Sequence, residues 1–275
     1  MAYVLRVVAS RVRRLGAPEY RGKRAERLYL HFAWLLAEGR RLALRNEKVV
    51  VLSWPKSGRT WLRYMLDRLG LHLEYTHSPR SPPFPGGWDR KRIIFLHRDP
   101  RDTTVSHWFS ETRRMAKYSG SLSDFLRDPD EGLEPAMRFN LLWKERLERA
   151  GKGLILTYEA LHADTAGELA RAVAFLGGRA VRDEALREAV AAGRFENMRA
   201  VETTGRGFGL YGDALAPGDP ADPDSFKTRE GSIGGWRRHF SPADAAFADA
   251  LLERHDYFRR MSPACPVPTT ISAPS

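Results

Sequence analysis

From residue 48 the chain alternates short apolar runs with helical stretches, and this alternation constrains the fold more than any other feature. KVVVLS (48–53), LHLEYTH (71–77), RIIFLH (92–97) and GLILTY (153–158) carry β-branched and aliphatic residues at strand length. Helical stretches fall at 59–70, from about 100 to 117, and at 134–150, 164–176 and 182–192; WRRHFSPADAAFADALLERH (236–255) reads as a final helical segment. Apolar runs that do not alternate belong to strands buried on both faces, as in a parallel sheet covered by helices. The expected fold class is therefore α/β, three layers, α/β/α, around a central, mostly parallel sheet. A length of 275 residues with 43% hydrophobic content supports one sizeable core. The expected division is a basic helical extension at 1–47, one α/β domain at 48–261 and a flexible tail at 262–275.

Three junctions in this pattern carry cations. The first, SWPKSGRTW (53–61), lies between a strand and a helix, where a phosphate-binding loop belongs. Laid on G-x-x-x-x-G-K-[ST], Gly58 and Thr60 fall in place, but Ser53 stands at the first glycine and Arg59 at the lysine. The loop's lysine, Lys56, comes before the glycine, so its ammonium approaches from the start of the loop. The second junction is HRDPRDTTVSHW (97–108). Asp99 and Pro100 read as N-cap and first helical position, Arg98 ends the strand, and Ser106 lies two turns into the helix. Ligands bind at this end of open α/β sheets, and an arginine fork with a hydroxyl suits a phosphate. The third is TREGSIGGW (228–236), where Arg229 and Gly231 follow a Gly-, Pro- and Asp-rich segment, 202–230, that is long enough to be a functional or disordered loop. Taken singly, the second and third also read as a helix cap and a glycine-rich turn.

Together these residues resemble the sulfotransferases that use 3′-phosphoadenosine 5′-phosphosulfate (PAPS), a P-loop-type fold. Pro55-Lys56-Ser57-Gly58-Arg59-Thr60-Trp61 is similar to the family's 5′-phosphosulfate loop, Arg98 and Ser106 to its 3′-phosphate pair, and Arg229, Gly231, Gly234 and Trp236 to its late glycine motif. YEAL (158–161) and FENM (195–198) resemble two further signatures, and the motifs stand in family order from 48 to about 255. The resemblance implies transfer of a sulfuryl group from PAPS to a hydroxyl, with PAP, the desulfated nucleotide, as product and no metal. It implies that Lys56 supports the leaving phosphate, that Ser57 modulates it, and that Trp61, Tyr158 and Phe195 surround adenine. YTHSP (75–79) resembles the motif that carries the family's base, which makes His77 the candidate; His97, beside Arg98, is the rival. A histidine suits proton removal from a hydroxyl.

Departures from the family pattern are Tyr75 for a lysine, Arg59 for a small residue, Ala160 for an acid, and Glu230 for a cation among the residues expected at the 3′-phosphate. Twenty residues separate Lys56 from His77. Animal cytosolic members carry a longer insert there, so the chain resembles the compact bacterial type. An open acceptor cleft is expected from residues 79–90, the 103–150 helices and the 202–230 loop.

The net charge of +11 is uneven: residues 1–48 hold twelve Lys and Arg against four Asp and Glu. That segment reads either as a solvated or core-packed basic helical region or as a patch for an anionic membrane surface. Its helices are expected at 4–15 and 24–44. Arg6 and Arg11 interrupt any leader-like apolar run, no stretch reaches spanning length, and the single Cys265 fits a reducing compartment. The expected location is the cytoplasm, at most peripheral to the inner face of the membrane. The expected acceptor is a hydroxyl-bearing small molecule, glycan or lipid-linked compound, and nucleic acid is not expected. Two other readings compete: a P-loop kinase, against which the misplaced lysine and missing magnesium carboxylates argue, and a basic peripheral membrane or nucleic-acid binder, which leaves the three junctions unexplained.

Overall fold

The computed structural model describes residues 49–80, 88, 91–177, 181–204 and 215–262. The helices expected at 4–15 and 24–44, the tail beyond 262, and most of 81–90 and 205–214 lie outside the described residues. The four expected strands form one sheet. They are β1 (Val49–Leu52), β2 (Glu74–Thr76), β3 (Arg92–His97) and β4 (Gly153–Thr157), in the order β2-β1-β3-β4. Every pairing is parallel, with Val50 opposite Ile93 and Ile94 opposite Leu154. Hence the ends of β1 and β3 lie side by side, and whatever follows them faces the same edge of the sheet.

Both faces are covered, as non-alternating strands require. On one, Val49, Val51, Ile94, Leu96 and Leu156 meet α1 (Arg59–Arg68) with Leu62, Met65 and Leu66, together with helices Thr165–Phe175 and Asp183–Ala192. On the other, Leu52, Ile93 and Phe95 pack on Ala136, Phe139, Trp143 and Leu147 of the long helix Leu133–Ala150. This is the three-layer α/β/α arrangement.

Element boundaries differ from the sequence reading in three informative places. The strand expected over 71–77 shortens to Glu74–Thr76, the residues that pair with Val50–Leu52, while Leu71 and Leu73 pack on the core. Tyr158 heads a short helix, Tyr158–Ala163, instead of ending a strand; the Thr157 hydroxyl accepts from Ala160 N and starts it. The helix expected to reach residue 117 is α-helical only as α2 (Pro100–Phe109). It continues as one π-helical turn, Ser110–Arg114, in which Met115 N bonds back to Ser110 O at 2.8 Å. That extra residue per turn changes which side chains face the end of the sheet.

Phe139 is 1% exposed, with its ring 5.4 Å from Trp54 and 6.0 Å from Phe95. Phe139→Ala is expected to lower stability by about 3–5 kcal/mol, since the packed aromatic neighbours cannot collapse into the space. The shift in urea midpoint at unchanged slope measures it; a midpoint near wild type would contradict this account of the core.

Candidate active site

The backbone of the first junction explains its odd lysine. Gly58 has φ +91° and caps α1, and an added Cβ would lie 2.7 Å from Tyr158 Cδ2. Lys56 itself has φ 68°, a left-handed conformation that a non-glycine residue adopts at a cost and that clusters at functional positions. Pro55 and Ser57 are buried, and Ser57 Oγ donates to Trp54 O at 3.0 Å. The N-terminus of α1, the positive end of its dipole, thus lies beside Lys56 at a cavity of about 450 Å³.

The other two junctions open onto the same cavity, tied together by Asp102. This carboxylate is 3% exposed and accepts from Gly234 N at 2.7 Å and Trp236 N at 3.0 Å. It also lies 3.6 Å from Arg98. Arg98 Nη2 donates to Ser232 O at 2.7 Å, and its guanidinium lies 4.1 Å from the centre of the Tyr158 ring. Tyr158 in turn donates to Gly231 O at 2.8 Å. Helix α2, the late glycine motif and the start of helix Tyr158–Ala163 are therefore one unit. Ser106, on α2, lines the cavity as well.

Arg229 reaches in from the late motif. Its guanidinium stacks on Phe109 at 3.9 Å and pairs with Asp224 and Glu230. Glu230 also pairs with Arg238 and lies 3.2 Å from His239. Burial works against its charge, yet Arg229 and Arg238 hold the carboxyl down at about 2. Glu230 therefore tethers Arg229 and neutralises cations at the cavity rim. Two buried guanidinium N–H groups, Arg98 Nε and Arg229 Nε, have no hydrogen-bond partner among the described residues, and both belong to cavity-lining residues. Buried donors in this state suit an anion with several acceptor oxygens.

The apolar side of the cavity is aromatic. Trp61 meets Tyr158 edge-on at 5.7 Å and is fixed by Nε1 donating to Gly193 O at 2.7 Å. Phe195, 39% exposed, begins helix Phe195–Thr204 and packs beside Gly231. All three rings line the cavity, and their flat faces suit a purine.

Of the two histidine candidates, His77 lines the cavity and His97 does not. His97 is buried, stacked 5.6 Å from Phe95, and burial followed by Lys144 pushes its pKa down to about 4. The cavity also holds cations that the sequence motifs did not single out. Lys227 precedes Arg229 by two residues, and Arg114 ends the π-helical turn. Glu202, buried, accepts from the backbone N–H of Lys227 and of Thr228 and fixes that segment. Burial, then Arg114, brings Lys56 down to about 7; burial, Arg114 and Lys56 depress Lys227 well below the usual lysine range. Among the described residues no group of three His, Cys, Asp or Glu is placed to hold a metal ion, and no helix is long and apolar enough to cross a membrane.

A family model described as the sulfotransferase domain matches residues 76–262. Human sulfotransferase 2B1 is 26% identical over 250 residues, covering 77% of this chain and 66% of that protein. Mouse sulfotransferase 2B1 is 26% identical over 218 residues, 72% of this chain and 61% of that protein. The chain thus spans about two thirds of the length of these curated relatives. Among solved structures, a mouse sulfotransferase complexed with PAP superposes with TM-score 0.61 at 19% identity, over 76% of this chain and 84% of that one. Retinol dehydratase in complex with androsterone and inactive cofactor PAP gives TM-score 0.61 at 18% identity, over 81% and 83%. At that identity the structural likeness is one of fold.

The buried histidines set a pH prediction. Burial is the leading cause that holds His77 at about 3 and His97 and His107 at about 4, whereas an unfolded chain protonates them near 6.5. Between those values the unfolded state binds more protons, so the histidine contribution to stability falls as pH drops from about 6.5, most of it by about 4, and levels off below about 3. His97→Gln is expected to flatten this slope in urea midpoints. A slope equal to wild type would show that His97 is not held neutral.

Proposed function

Because the chain belongs to the sulfotransferase domain family, we propose that it transfers the sulfuryl group of PAPS to a hydroxyl on a small molecule, a glycan or a lipid-linked acceptor. The observation that carries this reading is the convergence of three separate cationic junctions on one cavity, with two buried arginine Nε groups lacking a partner among the described residues and three aromatic rings beside them. A donor with a 5′-phosphosulfate, a 3′-phosphate and a purine fits that set of groups. Residues 55–60 would hold the 5′ end, Arg98, Ser106 and Arg229 the 3′-phosphate, and Trp61, Tyr158 and Phe195 the base.

Each residue then has a definable task. Lys56, beside the N-terminus of α1, stabilises negative charge growing on the leaving phosphate; such preorganised donors contribute most where water is excluded. His77 takes the hydroxyl proton of the acceptor. Ser57, held to Trp54 O, keeps the loop closed beneath Lys56. PAP and androsterone are named with one solved relative and support the same donor and a hydroxyl-bearing acceptor here.

Two outcomes test the reading. Lys56→Ala is expected to cut turnover with labelled PAPS by about 10²–10³ while leaving the melting curve of the free protein intact. Near-normal turnover would place the catalytic cation elsewhere. The second concerns pH. Lys56 is half-protonated near pH 7 when no anion neighbours it, and an anion favours its ammonium form. Binding of PAP above pH 7 should therefore take up protons, so affinity falls as pH rises. Calorimetry in buffers of different ionisation enthalpy reads the uptake directly. Lys56→Arg should reduce it, because arginine is already charged; unchanged uptake would contradict the assignment.

A further inference from the structure

The lone pair that His77 needs as a base is already engaged, and by a cation. His77 Nδ1 lies 2.8 Å from Ser53 O, and His77 Nε2 lies 2.7 Å from Arg59 Nη2. A carbonyl oxygen only accepts and a guanidinium only donates. The two neighbours together therefore fix one state of the ring: neutral, with its proton on Nδ1 and its lone pair on Nε2 turned toward Arg59. Among the described residues, the titratable groups that act on the ring are basic: Arg59 from α1, Lys227 from the segment before Arg229, and Arg80 from the segment after β2. Burial first and Arg59 second hold the pKa at about 3. A ring in that state is a poor proton acceptor near neutral pH.

Arg59 is also part of the loop that faces the donor, and it lines the same cavity as Lys56. A guanidinium can grip phosphate or sulfuryl oxygens with two parallel hydrogen bonds between opposite charges, whereas the imidazole lone pair offers it one bond to a neutral acceptor. We propose that Arg59 locks the base: without donor its guanidinium occupies Nε2 of His77, and the donor's phosphosulfate draws it away and frees that lone pair for the acceptor hydroxyl. This rests on the sulfotransferase reading. Once free, Nε2 takes the hydroxyl proton as the acceptor oxygen bonds to sulfur. The bond from sulfur to the bridging oxygen breaks, and its electron pair stays on the 5′-phosphate beside Lys56. Ser53 O continues to accept from Nδ1–H and steadies the charged ring. Arg59 acts through His77 and is a positioning residue. It makes the base available only when the sulfuryl group is in place.

The test reads the ring itself, at neutral pH, in protein labelled with ¹⁵N-histidine and assigned by the signal lost in His77→Gln. In the free wild type the His77 Nε2 resonance should lie upfield, as for an imine nitrogen bonded to a cation. Saturating PAP should move it downfield, toward an unbonded imine nitrogen. In Arg59→Ala the resonance should start downfield and PAP should add little. Arg59→Met, which keeps the stem's packing, repeats the measurement if the alanine variant fails to fold. Thermal stabilisation by PAP in the same samples reports donor binding separately. If PAP stabilises the protein but leaves Nε2 unmoved, or moves it equally with and without Arg59, the lock is wrong and the donor site stands. If PAP does not stabilise the wild type, both fall.

Discussion

The gathering of basic side chains around one poorly hydrated cavity is the constraint that the surrounding fold has to satisfy. Lys56, Arg98, Arg114, Lys227 and Arg229 surround one cavity of about 450 Å³. Burial first, and the neighbouring cations second, push the pKa values of the two lysines down, since like charges close together in a poorly hydrated space disfavour one another. A protein gains nothing in stability from such a cluster. It is held there by the surrounding fold, and an anion is what relieves it.

The restraint is specific. Asp102 binds two backbone N–H groups of the late motif and neighbours Arg98. Glu202 does the same for the segment carrying Lys227. Glu230 holds Arg229 from the rim. These carboxylates stand beside the cations, and two of them are spent largely on backbone amides, so the guanidinium Nε atoms of Arg98 and Arg229 keep their hydrogen-bonding capacity. Parallel strand order then places the ends of β1 and β3 next to each other. Two junctions far apart in sequence face one ligand, and the third is strapped across them.

Much of this was legible in the sequence for physical reasons. Strands buried on both faces leave uninterrupted apolar runs, and RIIFLH became Arg92–His97 without change of bounds. The Asp99–Pro100 helix start was legible because capping is local chemistry, and Asp99 accepts from Arg101 N at 2.9 Å. The junctions carrying Lys56, Arg98 and Arg229 were visible as cations beside glycine or at strand ends, and the fold brings them together. Arg114 was not visible, because the sequence does not announce a π-helical turn and an α-helix of the same residues would aim that side chain elsewhere. Lys227 lay in a segment read only as a long loop; its proximity to Arg229 was the available signal. The contact of Arg59 with His77 joins residues 18 apart through the geometry of β1 and β2, which no local pattern encodes. Of the two histidines the sequence offered, burial against Phe95 separates His97 from the cavity.

The central claim is that the three junctions form one site for a nucleotide with two separated phosphates. A crystal structure of the protein with PAP tests it most directly. The account predicts one phosphate against the backbone amides and Lys56 at 55–60, the other against Arg98, Ser106 and Arg229, and the purine among Trp61, Tyr158 and Phe195. A well-ordered PAP with either phosphate outside these groups, or with its ends exchanged, would contradict it.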